Sequence, residues 1–127
     1  MRVYIDSDIL VWHLRGSEKA TDLLRSLNSV REYELWIGAL QRAEIVFFMR
    51  ASEEKATELF LSQFQTASVS QCIVDVAGKF YRKWNPSHGI DVNDALLAAT
   101  ATETGGIVYS LNIKHFPMPE IIVKKAW

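Results

Sequence analysis

The chain has one cysteine, Cys72, and three prolines among its 127 residues. A lone thiol has no internal partner, so disulfides hold nothing together here and a reducing compartment is the expectation. No apolar run approaches the roughly 20 residues that cross a bilayer, and no signal-peptide pattern precedes the first apolar segment. These absences point to a soluble, cytoplasmic protein without membrane association. Neither sign of charge is in excess: 14 basic residues stand against 15 acidic ones, a formal net charge of -1. A global basic field that advertises nucleic-acid binding is therefore missing, and any nucleic acid would have to be held locally. Internal repeats, low-complexity tracts and linkers are absent as well. With 49% apolar residues, the chain has material for one sizeable core, and residues 1–127 are expected to form one domain.

What the chain does contain is an alternation of short apolar strands and amphipathic helices. Val3-Tyr4-Ile5 suits a strand buried on both faces, and it ends in the acidic step Asp6-Ser7-Asp8. Helical spacing follows from Ser7 to about Leu14, where Gly16 stops it. Ser17 then reads as the N-cap of a helix through about Leu27, with Ala20, Leu23, Leu24 and Leu27 on its apolar face. Leu35-Trp36-Ile37 is the second strand, ending at Gly38. A helix is expected from Ala39 to about Arg50, with Leu40, Ala43, Phe47 and Phe48 on the buried face. Ser52 reads as the cap of another, running to Phe64 on a stripe of Ala56, Leu59, Phe60 and Phe64. A short strand is expected within Thr66–Ser70, and a helix from Ile73 to Trp84 that Asn85-Pro86-Ser87-His88-Gly89 breaks. Asp91 opens an Ala- and Leu-rich helix that Gly105-Gly106 stops, before the strands Ile107-Val108-Tyr109 and Ile121-Ile122-Val123. This alternation calls for an α/β sandwich: a mainly parallel sheet of four to five strands with helices on both faces.

Open α/β sheets bind ligands just outside the carboxyl ends of their strands. Asp6 and Asn112 follow directly on buried strands, and Glu44 and Asp94 lie on helices that start near strand ends. Each has a plain structural account. Glu44 can sit at the edge of its apolar stripe and reach water or a lysine, Asn112 can be a turn residue, and Asp91 with Asp94 resembles a capping box. Asp94 fits that account less well than Asp91, because it aligns with Leu97, Ala98 and Ala101 on the face that packs. In a parallel sheet all four converge on one edge. Carboxylates at ~4 Å repel by about 4 kcal/mol at an effective dielectric near 20, so such a cluster takes up protons or holds a cation. Oxygen ligands without Cys or His favour Mg²⁺ or Mn²⁺ over zinc, and a site of that kind activates water against a phosphodiester.

At these residues the chain resembles the PIN-domain ribonucleases, and among them the VapC-like toxins of type II toxin-antitoxin pairs. The resemblance rests on Val3-Tyr4-Ile5-Asp6-Ser7-Asp8, Ala43-Glu44-Ile45, Ile90-Asp91-Val92-Asn93-Asp94 with the Ala/Leu run after it, and Ser110-Leu111-Asn112-Ile113-Lys114-His115-Phe116-Pro117. It implies a PIN-like fold, a Mg²⁺-dependent endoribonuclease acting on RNA, a small cognate antitoxin and a homodimer. Asp6 and Asp94 match the principal metal-binding aspartates, Glu44 the middle acid and Asn112 the fourth position. Gln41 stands where many relatives have a hydroxyl, Ser110 replaces a frequent threonine, and Asn112 lowers the charge of the site.

Three rival readings remain at this level, one of them a PIN-like binding or scaffold protein with a weakened site. The same residues would serve an RNA-processing nuclease that is no toxin, and Asp6 with Asp8 imitates the acidic pair of a noncatalytic, Mg²⁺-binding receiver-like module, although no aspartate ends a middle strand. His13, His88 and His115 lack the i, i+4 partner of a helical zinc motif. Lys114 and His115 stand close enough to Asn112 in sequence to touch phosphate.

Overall fold

The computed structural model describes residues 1–127. In chain order it contains β1 (Arg2–Ile5), α1 (Ser7–Leu14), α2 (Glu18–Asn28), β2 (Glu34–Gly38), α3 (Ala39–Val46), α4 (Glu54–Leu61), β3 (Gln65–Ala67), α5 (Gln71–His88), α6 (Val92–Thr104), β4 (Ile107–Ser110) and β5 (Ile122–Lys125). The strands form one sheet in the order β3-β2-β1-β4-β5, every neighbouring pair parallel. β1 to β3 step outward on one side and β4 to β5 on the other, so the order reverses between β1 and β4. Receiver modules have the order 2-1-3-4-5 instead. The expected mainly parallel α/β sandwich is observed, with five strands.

Side chains of a strand alternate between faces, and β1 and β4 divide their apolar residues accordingly. Val3, Ile5 and Ile107 pack with Ile9, Leu10, Leu24, Leu27 and Leu61 on the face covered by α1, α2 and α4. Tyr4 and Val108 pack with Ala77, Phe80, Leu97, Ala98 and Ala101 on the face covered by α5 and α6. The small residues of α6 let it lie close to the sheet, and of the five in a row from Ala98 to Thr102 four are buried.

Caps explain most helix starts and stops. Ser17 Oγ accepts from Ala20 N, and Asp91 with Asp94 forms the expected capping box. Gly105 takes the left-handed conformation (φ 76°) that ends α6.

Three helices differ from their expected extents. α3 stops at Val46, and Phe47 and Phe48 lie beyond it, 78% and 82% exposed instead of in the core. Its buried positions are Gln41 and Ile45, a face that a pair of adjacent aromatics cannot share with Leu40. A short 3₁₀ turn, Ala51–Glu53, precedes α4, and the start is secured by Glu53 Oε1 accepting from Arg50 N (2.8 Å), with no cap from Ser52. α4 buries Thr57 and Leu61, with Phe64 beyond its end, while Ala56 and Leu59 face outward. α5 runs through Asn85 and Pro86 to His88. A proline so near the end disrupts little of the hydrogen-bond ladder, and the turn is closed by Gly89 (φ 61°) and by Asn85 Nδ2 donating to Ile90 O (2.9 Å). On the first helices, Leu10 is buried, whereas Trp12 and Leu14 are largely exposed. No helix is long and apolar enough to cross a membrane.

Gly106 joins α6 to β4 beneath the ring of Tyr4. A β-carbon there would lie 2.5 Å from Tyr4 Cε2 and 3.1 Å from Arg2 O. The ring has little freedom to retreat, because it is fully buried and its hydroxyl pairs with Thr104 Oγ1 at 2.9 Å. Gly106→Ala is therefore expected to cost about 1–3 kcal/mol in urea denaturation; wild-type stability would mean that Tyr4 can shift at no cost.

Candidate active site

The switch point between β1 and β4 is where the acidic residues meet. Asp6 leaves β1, and its backbone N–H continues the ladder to Tyr109 O (3.0 Å). As the N-cap of α1 its Oδ1 accepts from Ser7 N (2.8 Å), and its Oδ2 accepts from the hydroxyl of Ser110 (2.8 Å), the last residue of β4. Asp6 is thus 8% exposed and tied across 104 positions of sequence. Burial pushes its carboxyl from 3.8 up to about 7, the charges of Asp8 and Asp94 add to the rise, and the bonds from Ser110 and Ser7 oppose it.

Asp8 lies one step into α1 and reaches the same turn. Its Oδ2 accepts from Leu111 N (3.0 Å) and lies 3.3 Å from Ser110 Oγ, while its Oδ1 accepts from Ile9 N (2.7 Å). Burial raises this carboxyl too, with a further push from the charge of Glu44. Ser110 closes the turn by accepting from Asn112 N (3.0 Å).

Glu44 comes from α3, which packs against α1 and α6. Its two oxygens are held by neutral donors from both helices: Ser7 Oγ on Oε2 (2.6 Å) and Asn93 Nδ2 on Oε1 (2.7 Å). The neighbour of Asn93, Asp94, is the third residue of α6 and takes part in its capping box. Asp94 Oδ2 accepts from Asp91 N (3.2 Å) and lies 3.2 Å from His115 Nδ1. Burial pushes Asp94 up to about 7, opposed by the Asp91 N–H and assisted by the charges of Asp91 and Glu44. Asn112 Nδ2 lies 3.1 Å from His115 Nδ1 and 3.3 Å from Nε2, so Asn112 meets the same ring that faces Asp94.

Asp6, Glu44 and Asp94 are therefore gathered at one edge, where Asp94 acts on Asp6 and Glu44 on Asp94 and Asp8. Asn112 borders the group through His115 instead of facing the carboxylates, and Asp91 is exposed and serves as a cap. The donor set is all oxygen, as a hard divalent cation requires, yet each carboxylate is turned to a protein donor and no three Asp, Glu, His or Cys groups converge on one point. Asp8, Ser7 and Asn93 are additions that sequence reasoning missed. Asp8 carried a signal, its position two residues after Asp6; the contacts of Ser7 and Asn93 depend on how α1, α3 and α6 cross.

Comparison with known proteins identifies the family. The PIN domain family model matches residues 3–115. Ribonuclease VapC19 of Mycobacterium tuberculosis is 38% identical over 115 residues, covering 90% of this chain and 91% of the relative. Ribonuclease VapC10 of the same organism is 34% identical over 119 residues, covering 93% and 88%. Among solved structures, a toxin-antitoxin complex from Klebsiella pneumoniae superposes with a TM-score of 0.82 at 20% identity over 98% of both chains. VapBC2 from Rickettsia felis, bound to a DNA fragment from its promoter, gives 0.79 at 22% identity over 100% and 99%. An acidic edge at the β1/β4 switch point, in a chain matched along nearly its whole length, thus has one family to which it answers: the chain belongs to the PIN-domain family, among its VapC-type members.

Proposed function

We propose that this protein is an endoribonuclease that hydrolyses RNA phosphodiester bonds with Mg²⁺ or Mn²⁺, and that it is the toxin of a toxin-antitoxin pair. The observation that carries this reading is the cluster of part-buried carboxylates at the switch point, in a chain whose relatives are named ribonucleases. Asp6 and Asp94, both pushed to about 7, bear charge at a cost that a bound cation offsets. Asp6, Glu44 and Asp94 would hold the ion. When bound, it supplies an activated water and neutralises the charge that builds on the phosphodiester. The chain's own residues prepare the place: Ser7 N–H and Ser110 Oγ orient Asp6, Ser7 Oγ and Asn93 orient Glu44, and the Asp91 N–H holds Asp94. Asn112, Lys114 and His115 stand at the end of β4, where a phosphate of the RNA would pass.

An antitoxin partner is supported by the surface next to the site. Val11, Leu14, Ile45, Phe48, Met49 and Ala56 line an open groove of about 660 Å³ that also reaches Glu44. A partner segment lying in it would cover exposed Phe48 and end beside the acidic cluster. Trp12, Phe47 and Leu59 are exposed as well, and they support self-association into a homodimer. Light scattering at micromolar concentration is expected to give a dimer mass; a strictly monomeric mass would rule the dimer out.

The nuclease reading is tested at Asp94. Asn keeps the size and can still accept from Asp91 N, so Asp94→Asn should fold normally, lose nearly all RNA cleavage and bind Mg²⁺ more weakly. Asp91→Asn should change activity much less. Wild-type cleavage that persists in excess chelator would eliminate the metal.

Stability against pH gives an independent measurement. A carboxyl whose folded pKa lies above its unfolded value favours the fold at low pH, and that advantage is lost as pH rises through the folded value. For Asp6 the window runs from 3.8 to about 7. In metal-free buffer Asp6→Asn is therefore expected to melt above wild type at about pH 8 and to show no gain at about pH 4. Equal melting temperatures at the higher pH would mean that the carboxylate bears no stored repulsion.

A further inference from the structure

Glu44 is the one acid of the cluster whose carboxylate is held entirely by side chains of other helices. Ser7 Oγ approaches Oε2 at 2.6 Å from the first residue of α1, and Asn93 Nδ2 approaches Oε1 at 2.7 Å from the second residue of α6. Both donors are neutral, both bonds are short, and they grip opposite oxygens, so rotation of the carboxylate about its last torsion breaks at least one of them. Glu44 is also half-buried, on a long side chain whose rotamer freedom is costly to freeze without such partners.

Asn at position 93 is chemically particular. An amide is an uncharged donor of Asn's size; a carboxylate of the same shape would set a second negative charge against Glu44, and an aliphatic residue would leave Oε1 without its partner. Asp94 is occupied with Asp91 and His115 on the adjoining side of the same turn. The first turn of α6 therefore presents two functions side by side, an acid of the cluster and the donor that aims another acid.

We propose that Asn93 is a positioning residue of the site: together with Ser7 it clamps Glu44 in one orientation, so that this carboxylate is presented to a cation without a search among rotamers. The proposal rests on the reading of Glu44 as a site residue. Asn93→Ala removes one of the two donors, leaving Oε1 of half-buried Glu44 to water, and raises helix propensity, so the protein is expected to fold with a melting temperature close to wild type. Its affinity for Mn²⁺, measured by calorimetry on the protein without RNA, should fall at least threefold. RNA cleavage should lose about tenfold in kcat with KM within twofold, since the change acts on orientation at the reacting centre and not on RNA binding. Asn93→Gln, which keeps the amide donor, should recover part of both losses, whereas a residue needed only for packing would not be rescued by a longer side chain.

Glu44→Gln is the comparison that separates the two ideas. If Glu44→Gln is inactive while Asn93→Ala keeps wild-type kcat and Mn²⁺ affinity, the clamp is overturned and the site reading stands. If Glu44→Gln keeps full activity or wild type binds no Mn²⁺, the site reading falls, and the clamp is decided by the side-chain amide resonance of Asn93. That resonance must shift in Glu44→Gln if the two groups touch; an unmoved resonance overturns the contact itself.

Discussion

The acidic edge of this molecule is closed by one hydrogen bond between distant parts of the chain, that of Ser110 Oγ to Asp6 Oδ2 at 2.8 Å. It forms because β1 and β4 are direct parallel neighbours, with Ile5 in register with Tyr109, so that the residues following each strand leave the sheet side by side. The sheet order reverses at this pair, with α1 on one face and α6 on the other, the place where open α/β sheets form their crevice. Into that crevice the chain places a carboxylate that it then desolvates. The cost of doing so is visible in the raised proton affinity of Asp6, and it is tolerated because the surrounding core over-determines the position.

Capping and site-building are carried out by the same atoms. Asp6 caps α1 while facing Ser110, and Asp94 closes the capping box of α6 while facing His115. A helix N-terminus welcomes negative charge, since its free N–H groups and dipole favour an anion. The fold uses that preference to hold acids near one another that would otherwise repel. Glu44 has no helix N-terminus to hold it, lying in the last turn of α3, and the hydroxyl of Ser7 and the amide of Asn93 supply the donors instead.

The parallel sheet was legible because the apolar triplets Val3-Tyr4-Ile5, Leu35-Trp36-Ile37 and Ile107-Val108-Tyr109 are unambiguous and separated by helical spacing. Asp6 and Asp94 were legible as candidates because strand ends and helix caps can be read locally. The stretch from Phe47 to Phe64 was not. Aromatic residues there suggested a buried face, but Phe47, Phe48 and Leu59 point outward, and hydrophobicity alone does not distinguish a residue kept for the core from one kept for a partner. The continuation of α5 through Pro86 was hidden for a different reason: a proline in the last turn removes little that the packing of Phe80 and the cap at Gly89 do not restore. Side-chain contacts between helices, such as Asn93 to Glu44 across 49 positions, carry no local signal at all.

The account's central claim is that the carboxylates at the β1/β4 edge share a divalent cation. Anomalous diffraction from crystals soaked in Mn²⁺ tests it most directly. The expected result is an anomalous peak lying between Asp6, Glu44 and Asp94, with Asp6 and Asp94 turned toward the ion and Glu44 still held by Ser7 and Asn93. A crystal saturated with Mn²⁺ that shows no peak at this edge, or shows it only at a surface site away from Asp6, would contradict the claim.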